Sequence, residues 1–476
     1  MTTIHASPFA GSWYPGSRPE LEPLIERIFE ASLKRTGPDL LPGPLAFVVP
    51  HAGLAYSGTV AASAYRCLHA ARPQRVFILG FSHRGGRRAA EIPAVGTITT
   101  PLGEVKVDTK TVRALAANRS FLVTDEVQVC DHSVEIQLPM LQMAAPDAVV
   151  VPVYVGHLSV RDRREAATTL AGELRQGDVL LASSDLTHYG HAFDYAPFPV
   201  DDDTGRLLLE LDTQAIEAAG SLDAGLFLDT LGEFDSTVCG SEPIALLIET
   251  LSALGGEDIF QQTLDYQTSG EMTGDFTHSV SYGALGYFRA ESFCLEVEDR
   301  EVLLTSARET LRRLRETGKR QPVSPVSNSP ALKRKQAVFV SLHHRGELYG
   351  CIGSKEGDLP LAESTSYLAL ASALDDPRFW PRTALPEDLE IEISVLTPLK
   401  RIRDWSRFRL GRDGVDLRCE NRHGLLLPQV AGGTIDTGTK FFEALCRKAG
   451  LRKDAYRNSR ARLSVFRAQV FGYAPE

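Results

Sequence analysis

Two histidines stand directly after apolar runs of the sequence, 32 residues apart. His51 follows the run LAFVVP, and His83 follows the run RVFILGFS. This separation is about the length of one strand–helix–strand unit. Because a right-handed crossover makes the two strands parallel, both imidazoles are predicted to emerge at the same carboxyl edge of a sheet. Ligand sites in open α/β sheets lie at that edge.

Three further segments contribute an acid, bases and a thiol to the same candidate site. The apolar run DVLLASS is followed by Asp185 and, three residues later, by His188. The stretch HSVE places His132 and Glu135 one helical turn apart, on the same helix face. Cys239 lies in a turn just before an apolar helix, where a helix N-terminus is expected to lower the pKa of a thiol.

These residue types indicate metal chemistry. Two imidazoles and one anionic ligand, with open coordination positions, resemble the facial triad of non-haem iron sites. The anionic ligand is the thiolate of Cys239 or a carboxylate from Asp185 or Glu135. His132 and His188 could move protons to a bound substrate or to oxygen. A lone histidine after a strand is more often a hydrogen-bonded loop residue, and a lone cysteine is more often an inert buried thiol. Three matching strand ends favour a functional site.

The elements that position these side chains follow from the hydrophobic pattern of the first half. Continuous apolar runs separated by helical patterns predict a parallel sheet covered on both faces, and therefore an α/β fold. The helix over 132–143 contains Pro139, which marks either a kink or the first turn. Ser57 is the predicted N-cap of the helix over 57–71. The predicted strands span 45–49, 75–80, 149–155, 178–184 and 279–288.

The second half shows a different pattern, which predicts a mixed α+β domain with antiparallel pairing. A helix over 296–317 precedes a Pro- and Ser-rich exposed loop, 321–333. A hairpin follows over 337–353, with its turn at Arg345-Gly346, and the alternating stretch 389–399 is typical of a half-buried strand. Cys351, near the end of the hairpin, is either an exposed nucleophile or a small residue in a tight turn. The second interpretation is favoured, because no histidine has a fixed relation to this cysteine.

Charge and composition place a domain boundary and exclude several classes of protein. Of the 476 residues, 1–293 carry 20 Lys and Arg against 37 Asp and Glu, whereas 294–476 carry 31 against 24. This break predicts domains 1–293 and 294–476. The basic excess of the second half is scattered, which argues against nucleic-acid binding. Without a long apolar run, a signal-peptide pattern or a CxxC pair, the sequence predicts a cytoplasmic protein with free thiols and no membrane helix.

Six motifs of the first half, in order, resemble the Memo family over about residues 5–290. They are FAGSWYPG, PHAGLAYSG, GFSH, DHSVEIQLP, SSDLTHYG and CGSEPI. The resemblance implies a fold related to class III extradiol dioxygenases, with an iron or copper site whose ligands fall on His51, His83 and Cys239. It places Asp185 and His188 at neighbouring pocket positions and His132 in a further site motif. The family's reaction and substrate are not settled.

The second half resembles the AMMECR family over about residues 297–470. The matching motifs are LYGCIGS, DPRFWP, EIEISVLTP, GLLLPQVA and LCRKAGL. Tyr349 stands where that family usually has Arg, which puts an anion-binding role of the first motif in doubt. The fusion is similar to the AmmeMemoRadiSam system, whose third component is a radical-SAM protein. This chain has no CxxxCxxC motif and is therefore not that enzyme.

Three functions remain as hypotheses. The first is an iron-dependent redox protein of this system, dioxygenase-like, with His188, His132, Asp185 and Glu135 as acid, base or catalytic groups. The second is a non-catalytic module that binds a peptide, a small molecule or a protein, with the radical-SAM protein as partner. The third is a copper or iron chaperone or sensor, because copper(I) favours the soft thiolate.

Overall fold

The computed structural model consists of two compact units, Met1–Arg289 and Ala290–Glu476. Trp380 and Pro381 of the DPRFWP motif, and Val326 of the predicted loop, lie outside the described residues. Within the described part of the chain, no helix is both long and apolar enough to cross a membrane. The described residues are 3–38, 41–85, 87–125, 129–325, 327–379 and 385–473.

The first unit is a mixed α/β structure with a nine-stranded sheet and a separate three-stranded sheet. Its strands are β1 (Ile4–Ala6), β2 (Pro44–Val49), β3 (Arg75–Gly80), β4 (Ala90–Pro93), β5 (Thr97–Thr100), β6 (Gly103–Lys106), β7 (Phe121–Thr124), β8 (Val149–Val155), β9 (Val179–Ser183), β10 (His188–Gly190), β11 (Ile259–Thr268) and β12 (His278–Arg289). Its helices are α1 (Arg18–Thr36), α2 (Leu54–Ala71), α3 (Thr109–Ala116), α4 (His132–Glu135), α5 (Gln137–Ala144), α6 (Val160–Glu173), α7 (Thr204–Gly220), α8 (Ala224–Glu233), α9 (Ser241–Ala253) and α10 (Ser269–Thr273).

The large sheet has the order β10-β12-β2-β9-β3-β8-β4-β7, and β11 pairs with β12. Its four central strands, β2, β9, β3 and β8, run parallel, whereas β12 joins β2 antiparallel. These central strands are almost entirely buried. Helix α2 packs against β2, and α9 packs against β3, β8 and β9. The continuous apolar runs therefore lie in a covered parallel sheet, and the predicted α/β class is confirmed.

This strand order explains how distant residues meet. His51 follows β2, His83 follows β3 and Asp185 follows β9. Strand β9 lies between β2 and β3 and is parallel to both. The chain therefore leaves all three strands at one edge of the sheet, side by side.

Two predictions for the helices of this unit need correction or refinement. Ser57 is not the N-cap of α2: the helix begins one turn earlier with Gly53 as its N-cap, and the Ser57 hydroxyl donates to the carbonyl of Ala52 at 2.7 Å. The predicted helix 132–143 is divided into α4 and α5 by a turn at Ile136. Pro139 lies in the first turn of α5, where its missing N–H leaves no hydrogen bond unmade.

The second unit contains two four-stranded antiparallel sheets. The order of the first is β14 (Glu347–Ser354), β13 (Val338–His344), β15 (Glu390–Leu396) and β20 (Ala468–Gly472), and that of the second is β16 (Lys400–Ile402), β19 (Arg462–Phe466), β17 (Gly414–Cys419) and β18 (Arg422–Leu426). The predicted hairpin is β13 and β14, and its turn residues Arg345 and Gly346 both have positive φ. Tyr349 packs against the apolar core of the first of these sheets. The α-helices of this unit are α11 (Val297–Thr317), α12 (Leu361–Leu374) and α13 (Gly438–Lys448).

Candidate metal centre

Three histidines form the first group of potential metal ligands. One ring nitrogen from each of His51, His83 and His132 lies within 4.8 Å of those of the other two. The rings of His83 and His132 are stacked, with centroids 4.1 Å apart. The ring of His51 meets both nearly at right angles, at 5.5 Å from His83 and 5.4 Å from His132. Such a set of imidazoles suits iron, copper or zinc.

A second group shares His51 and adds a thiol and a carboxyl. His51, Asp185 and Cys239 each offer a ligand atom within 4.8 Å of the others. The Sγ of Cys239 lies 3.2 Å from the Nε2 of His51. Asp185 fixes the backbone beside the ring, because its Oδ1 accepts the N–H groups of His51 at 2.7 Å and Ala52 at 3.3 Å. His51 is thus the common member of both groups.

The surroundings of His51 keep its imidazole neutral and determine which ring nitrogen faces the other potential metal ligands. Burial, together with the nearby His83, lowers the pKa of His51 to about 3. Its Nδ1 contacts the hydroxyl of Ser183 at 3.1 Å, and that hydroxyl accepts from Nε2 of Gln137 at 2.9 Å. Gln137 is held in turn by the hydroxyl of Tyr65, at 2.7 Å from its Oε1. This buried chain occupies Nδ1 of His51 and leaves Nε2 to coordinate a metal.

Asp131 orients the imidazole of His83 in the same way. Its Oδ1 lies 2.9 Å from Nδ1 of His83, and its Oδ2 accepts the backbone N–H of His83 at 3.1 Å. Asp131 also caps α4 by accepting the N–H of Ser133. Although burial would raise the pKa of Asp131, the hydrogen bond to His83 and the nearby His132 lower it to about 2. The carboxylate therefore directs Nε2 of His83 away from itself, as carboxylate–histidine–metal arrangements do.

His132 contacts two aromatic side chains. The ring of Trp13 stacks on it with centroids 3.8 Å apart, and Phe9 meets it edge-on at 5.7 Å. Burial, with His51 and His83 nearby, lowers the pKa of His132 to about 3. The segment containing Phe9 and Trp13 therefore packs directly against the candidate ligands.

The expected low pKa of Cys239 is wrong. Cys239 does precede a helix, with Gly240 as the N-cap of α9. However, burial and the neighbouring Asp185 raise the pKa of the thiol well above its usual value. Burial and Asp185 raise this pKa more than the hydrogen bonds near the start of the helix lower it. The metal-free side chain is therefore a thiol. A bound cation would displace this proton, since thiolate is the form that coordinates.

Comparison with known proteins identifies the first unit. Residues 6–286 match the family model described as Memo-like protein. The chain belongs to the Memo family. A MEMO1 family protein from Methanopyrus kandleri is 32% identical over 293 residues, which cover 59% of this chain and 97% of the relative. A MEMO1 family protein from Thermotoga maritima is 32% identical over 286 residues, covering 57% and 95%.

A second family model, AMMECR1, matches residues 304–471, so this Memo family member carries an AMMECR1 domain as well. Among solved structures, an uncharacterized protein from Pyrococcus horikoshii is 34% identical to this chain. The match covers 37% of this chain and 93% of that protein, with a TM-score of 0.35. The two family models confirm both predicted resemblances.

The remaining predicted residues of the Memo unit lie at different distances from the two groups. His188 is close enough to affect the pKa values of His51 and Asp185, and its Nδ1 contacts the carbonyl oxygens of Leu186 and Thr237 at 3.1 and 3.2 Å. Glu135 belongs elsewhere: its Oε1 lies 2.9 Å from Nε2 of His5. Although His132 and Glu135 share α4, the structure divides them between separate clusters.

Several residues around the centre were not singled out from the sequence. Asp131 and Ser183 contact the imidazoles and Gln137 bonds Ser183, and all three lie in the quoted motifs DHSVEIQLP and SSDLTHYG, which were a signal for them. The stacking ring of Trp13 had the same kind of signal, since it lies in the motif FAGSWYPG.

In the AMMECR1 unit, the backbone N–H of Cys351 donates to Asp376 at 2.8 Å, and its carbonyl accepts from Arg378 at 3.1 Å. The favoured interpretation of Cys351 as a small residue in a tight turn is wrong, because Cys351 lies within strand β14, paired with Ser341. Its thiol also contacts Arg378.

The donor set of the Memo unit fits a metal ion. The neutral imidazoles of His51 and His132 offer lone pairs without competition from protons near neutral pH, and a thiol and a carboxyl lie within reach of His51. The predicted ligands His83 and Cys239 fall in different groups, which meet at His51. This Memo-type protein therefore has clusters of side chains that could hold a metal ion.

Proposed function

We propose that the Memo unit is an iron-binding redox protein, a dioxygenase-like oxidoreductase, with His51, His83 and Cys239 as ligands. The observation that carries this proposal is the position of His51, whose neutral ring belongs to both donor groups. Two imidazoles and an anionic ligand leave coordination positions open for substrate and oxygen. When bound, iron would supply a Lewis acid and a one-electron redox centre.

The neighbouring side chains would handle protons in distinct ways. Asp185, whose pKa is raised to about 6 by burial, exchanges a proton close to neutral pH. The Nδ1 of His188 lies against two carbonyl oxygens and must carry the hydrogen, which leaves Nε2 free to act as a base. His132, with its pKa lowered to about 3, stays neutral and orients the substrate rather than delivering protons. His188 and Asp185 are therefore the proposed acid–base groups.

Aromatic rings beside the donor groups favour a flat, oxygen-reactive substrate. Phe81 lies 4.3 Å from His83, and Phe193 meets His188 edge-on at 5.0 Å between ring centroids. Both phenylalanines are partly exposed, as is Trp13. Aromatic side chains around a few convergent polar groups are typical of small-molecule sites. An aromatic substrate such as a catechol fits these surfaces.

Anaerobic purification followed by metal analysis tests the proposal. We expect close to one iron per chain in the centre, lost in the His51→Ala/His83→Ala double variant. The double variant His69→Ala/His423→Ala is the matched control, because it removes two histidines outside both donor groups. Undiminished iron in the first double variant would rule out this site. Oxygen consumption with catechols then tests the reaction itself.

Copper binding, as in a chaperone or sensor, is the second candidate. It is favoured by the 3.2 Å contact between the Cys239 thiol and Nε2 of His51, a soft ligand pair suited to copper(I). Copper rather than iron after anaerobic purification, with no oxygen consumption, would support this function.

Binding of a radical-SAM partner, as a non-catalytic module, stays a prediction. Pull-down of that partner by the His51→Ala variant tests it, since docking alone needs no metal.

A further inference from the structure

A second cluster of potential metal ligands lies outside the groups around His51. It consists of His5 on β1, Cys130 just before the cap of α4, and Glu135 at the end of α4. One ligand atom of each residue lies within 4.8 Å of those of the other two. All three are distinct from the proposed ligands of the first centre. A neutral imidazole, a thiolate and a carboxylate are the three ligand types that zinc takes in proteins.

Glu135 supplies an independent sign that the cluster has a ligand. Its side chain is completely buried, and its Oε1 lies 2.9 Å from Nε2 of His5. Its second oxygen, Oε2, is also buried and has no hydrogen-bond partner among the described residues. Leaving a carboxylate oxygen buried and unsatisfied is costly, and such groups in native proteins are commonly met by an ion or water. The neighbouring thiol makes a cation the better match.

The distances suit a small cation after a slight expansion. Zinc bonds of 2.0–2.3 Å to N, O and S place tetrahedral ligand atoms about 3.3–3.8 Å apart. The contact between His5 and Glu135 would lengthen by roughly half an ångström when a metal replaces the shared hydrogen. Cys130 and Glu135 are buried and His5 is only slightly exposed, so the cluster is nearly closed to solvent. The cluster supplies three of the four ligands that tetrahedral zinc takes, and a water molecule would be the fourth.

We propose that His5, Cys130 and Glu135 form a second metal site, which binds Zn²⁺ or a similar divalent cation. Binding deprotonates the Cys130 thiol and releases that proton to solvent. The ion ties the short strand β1 to α4. Cys130 and Glu135 flank Asp131 and His132, so the same ion fixes the start of the helix that holds the histidines of the first centre. The second site is therefore a structural support for the first.

Cobalt(II) binding to the full chain tests this site without reference to activity. The His51→Ala/Cys239→Ala background removes the shared histidine and the thiol of the first centre. In this background, we expect one equivalent of Co²⁺ to produce a thiolate-to-cobalt absorption band, which added Zn²⁺ abolishes. Adding Cys130→Ala should eliminate the band. Cys67→Ala, which removes a buried thiol of α2 outside the cluster, is the matched control and should leave it unchanged.

Two further variants separate metal binding from folding. His5→Ala changes a partly exposed residue on a three-residue strand, so its fold should survive even if Cys130→Ala does not. We expect His5→Ala to weaken Co²⁺ binding by more than about tenfold, since even changes to residues that only orient ligands cost that much. Zn²⁺ should raise the melting temperature of the His51→Ala/Cys239→Ala background but not of the same background with Glu135→Gln added. No thiolate band in the background protein, or a band that persists in Cys130→Ala, would overturn the proposal.

Discussion

Removing the hydroxyl of Ser183 tests how His51 is prepared to bind a metal. In the Memo unit, this hydroxyl lies 3.1 Å from Nδ1 of His51 and accepts from Nε2 of Gln137 at 2.9 Å. In Ser183→Ala, Gln137 keeps its bond to the carbonyl of Pro50 at 3.0 Å. Nδ1 of His51 loses the hydroxyl and stays buried. When Nε2 of His51 coordinates a metal, Nδ1 must carry the ring hydrogen, and in this variant that buried N–H has no acceptor.

The expected losses follow from this geometry. A buried donor without a partner costs about 1–3 kcal/mol, so the free energy of unfolding should fall by that amount. Residues that orient a ligating imidazole contribute about 10- to 100-fold to metal affinity. Ser183→Ala should therefore weaken metal binding by about 1.4–2.7 kcal/mol. The metal should still bind, because His51, His83 and Cys239 are intact.

Anaerobic Fe²⁺ titration of the full chain measures the affinity, and urea denaturation of the metal-free chain measures the stability. Ser63→Ala is the matched control, because it removes a buried hydroxyl of α2 that donates to the carbonyl of Val60. The control should retain the affinity of the unaltered chain. An affinity of Ser183→Ala within about twofold of the control would refute the assigned role of Nδ1.

Three more predictions follow from the described contacts. In chelator-treated protein, the free energy of unfolding should fall as the pH drops from 6.5 toward about 3, because His51 is neutral when folded and protonated when unfolded. The lowered pKa of His51 corresponds to a decrease in the free energy of unfolding of at most about 5 kcal/mol over this pH range. Urea denaturation of His51→Gln at stepped pH should show a flatter profile, and an unchanged slope would contradict the assignment; Asp185, with a raised pKa, titrates in the opposite sense in both proteins. A double-mutant cycle of Trp13→Leu and His132→Ala should give a coupling of about 0.5–1.5 kcal/mol for the stacked rings, and additive losses would exclude it. Cys351→Ser should leave cooperative thermal unfolding and iron content unchanged, because the backbone of this residue bonds Asp376 and Arg378 and a serine hydroxyl keeps the polar contact that the thiol makes with Arg378; loss of either property would instead assign a role to the thiol.

The layout of the sheet was accessible from the sequence because burial leaves a direct pattern. Continuous apolar runs predicted parallel strands, and the polar residues after those runs predicted a functional site at the carboxyl edge of the sheet. The order of the strands was not accessible, because no local pattern states that β9 lies between β2 and β3. That order is what places Asp185 against the backbone of His51.

The pKa values of the site residues, and which residues share a site, were harder to predict from the sequence than the residues themselves. The position of Cys239 before α9 predicted a low pKa for the thiol, but that pKa depends on burial and on Asp185, which only the folded chain shows. Likewise, α4 is too short for its spacing to decide which side chains share a site. Glu135 contacts His5, which is 130 residues away in sequence.

X-ray absorption at the iron edge of the iron-loaded full chain tests the central claim most directly. We predict sulfur and imidazole scattering around the same ion, with the sulfur contribution lost in Cys239→Ala and retained in Cys130→Ala. These outcomes follow if Cys239 joins His51 and His83 in one coordination sphere. Iron without sulfur scattering in the unaltered chain, or sulfur scattering that persists in Cys239→Ala, would contradict the assigned centre.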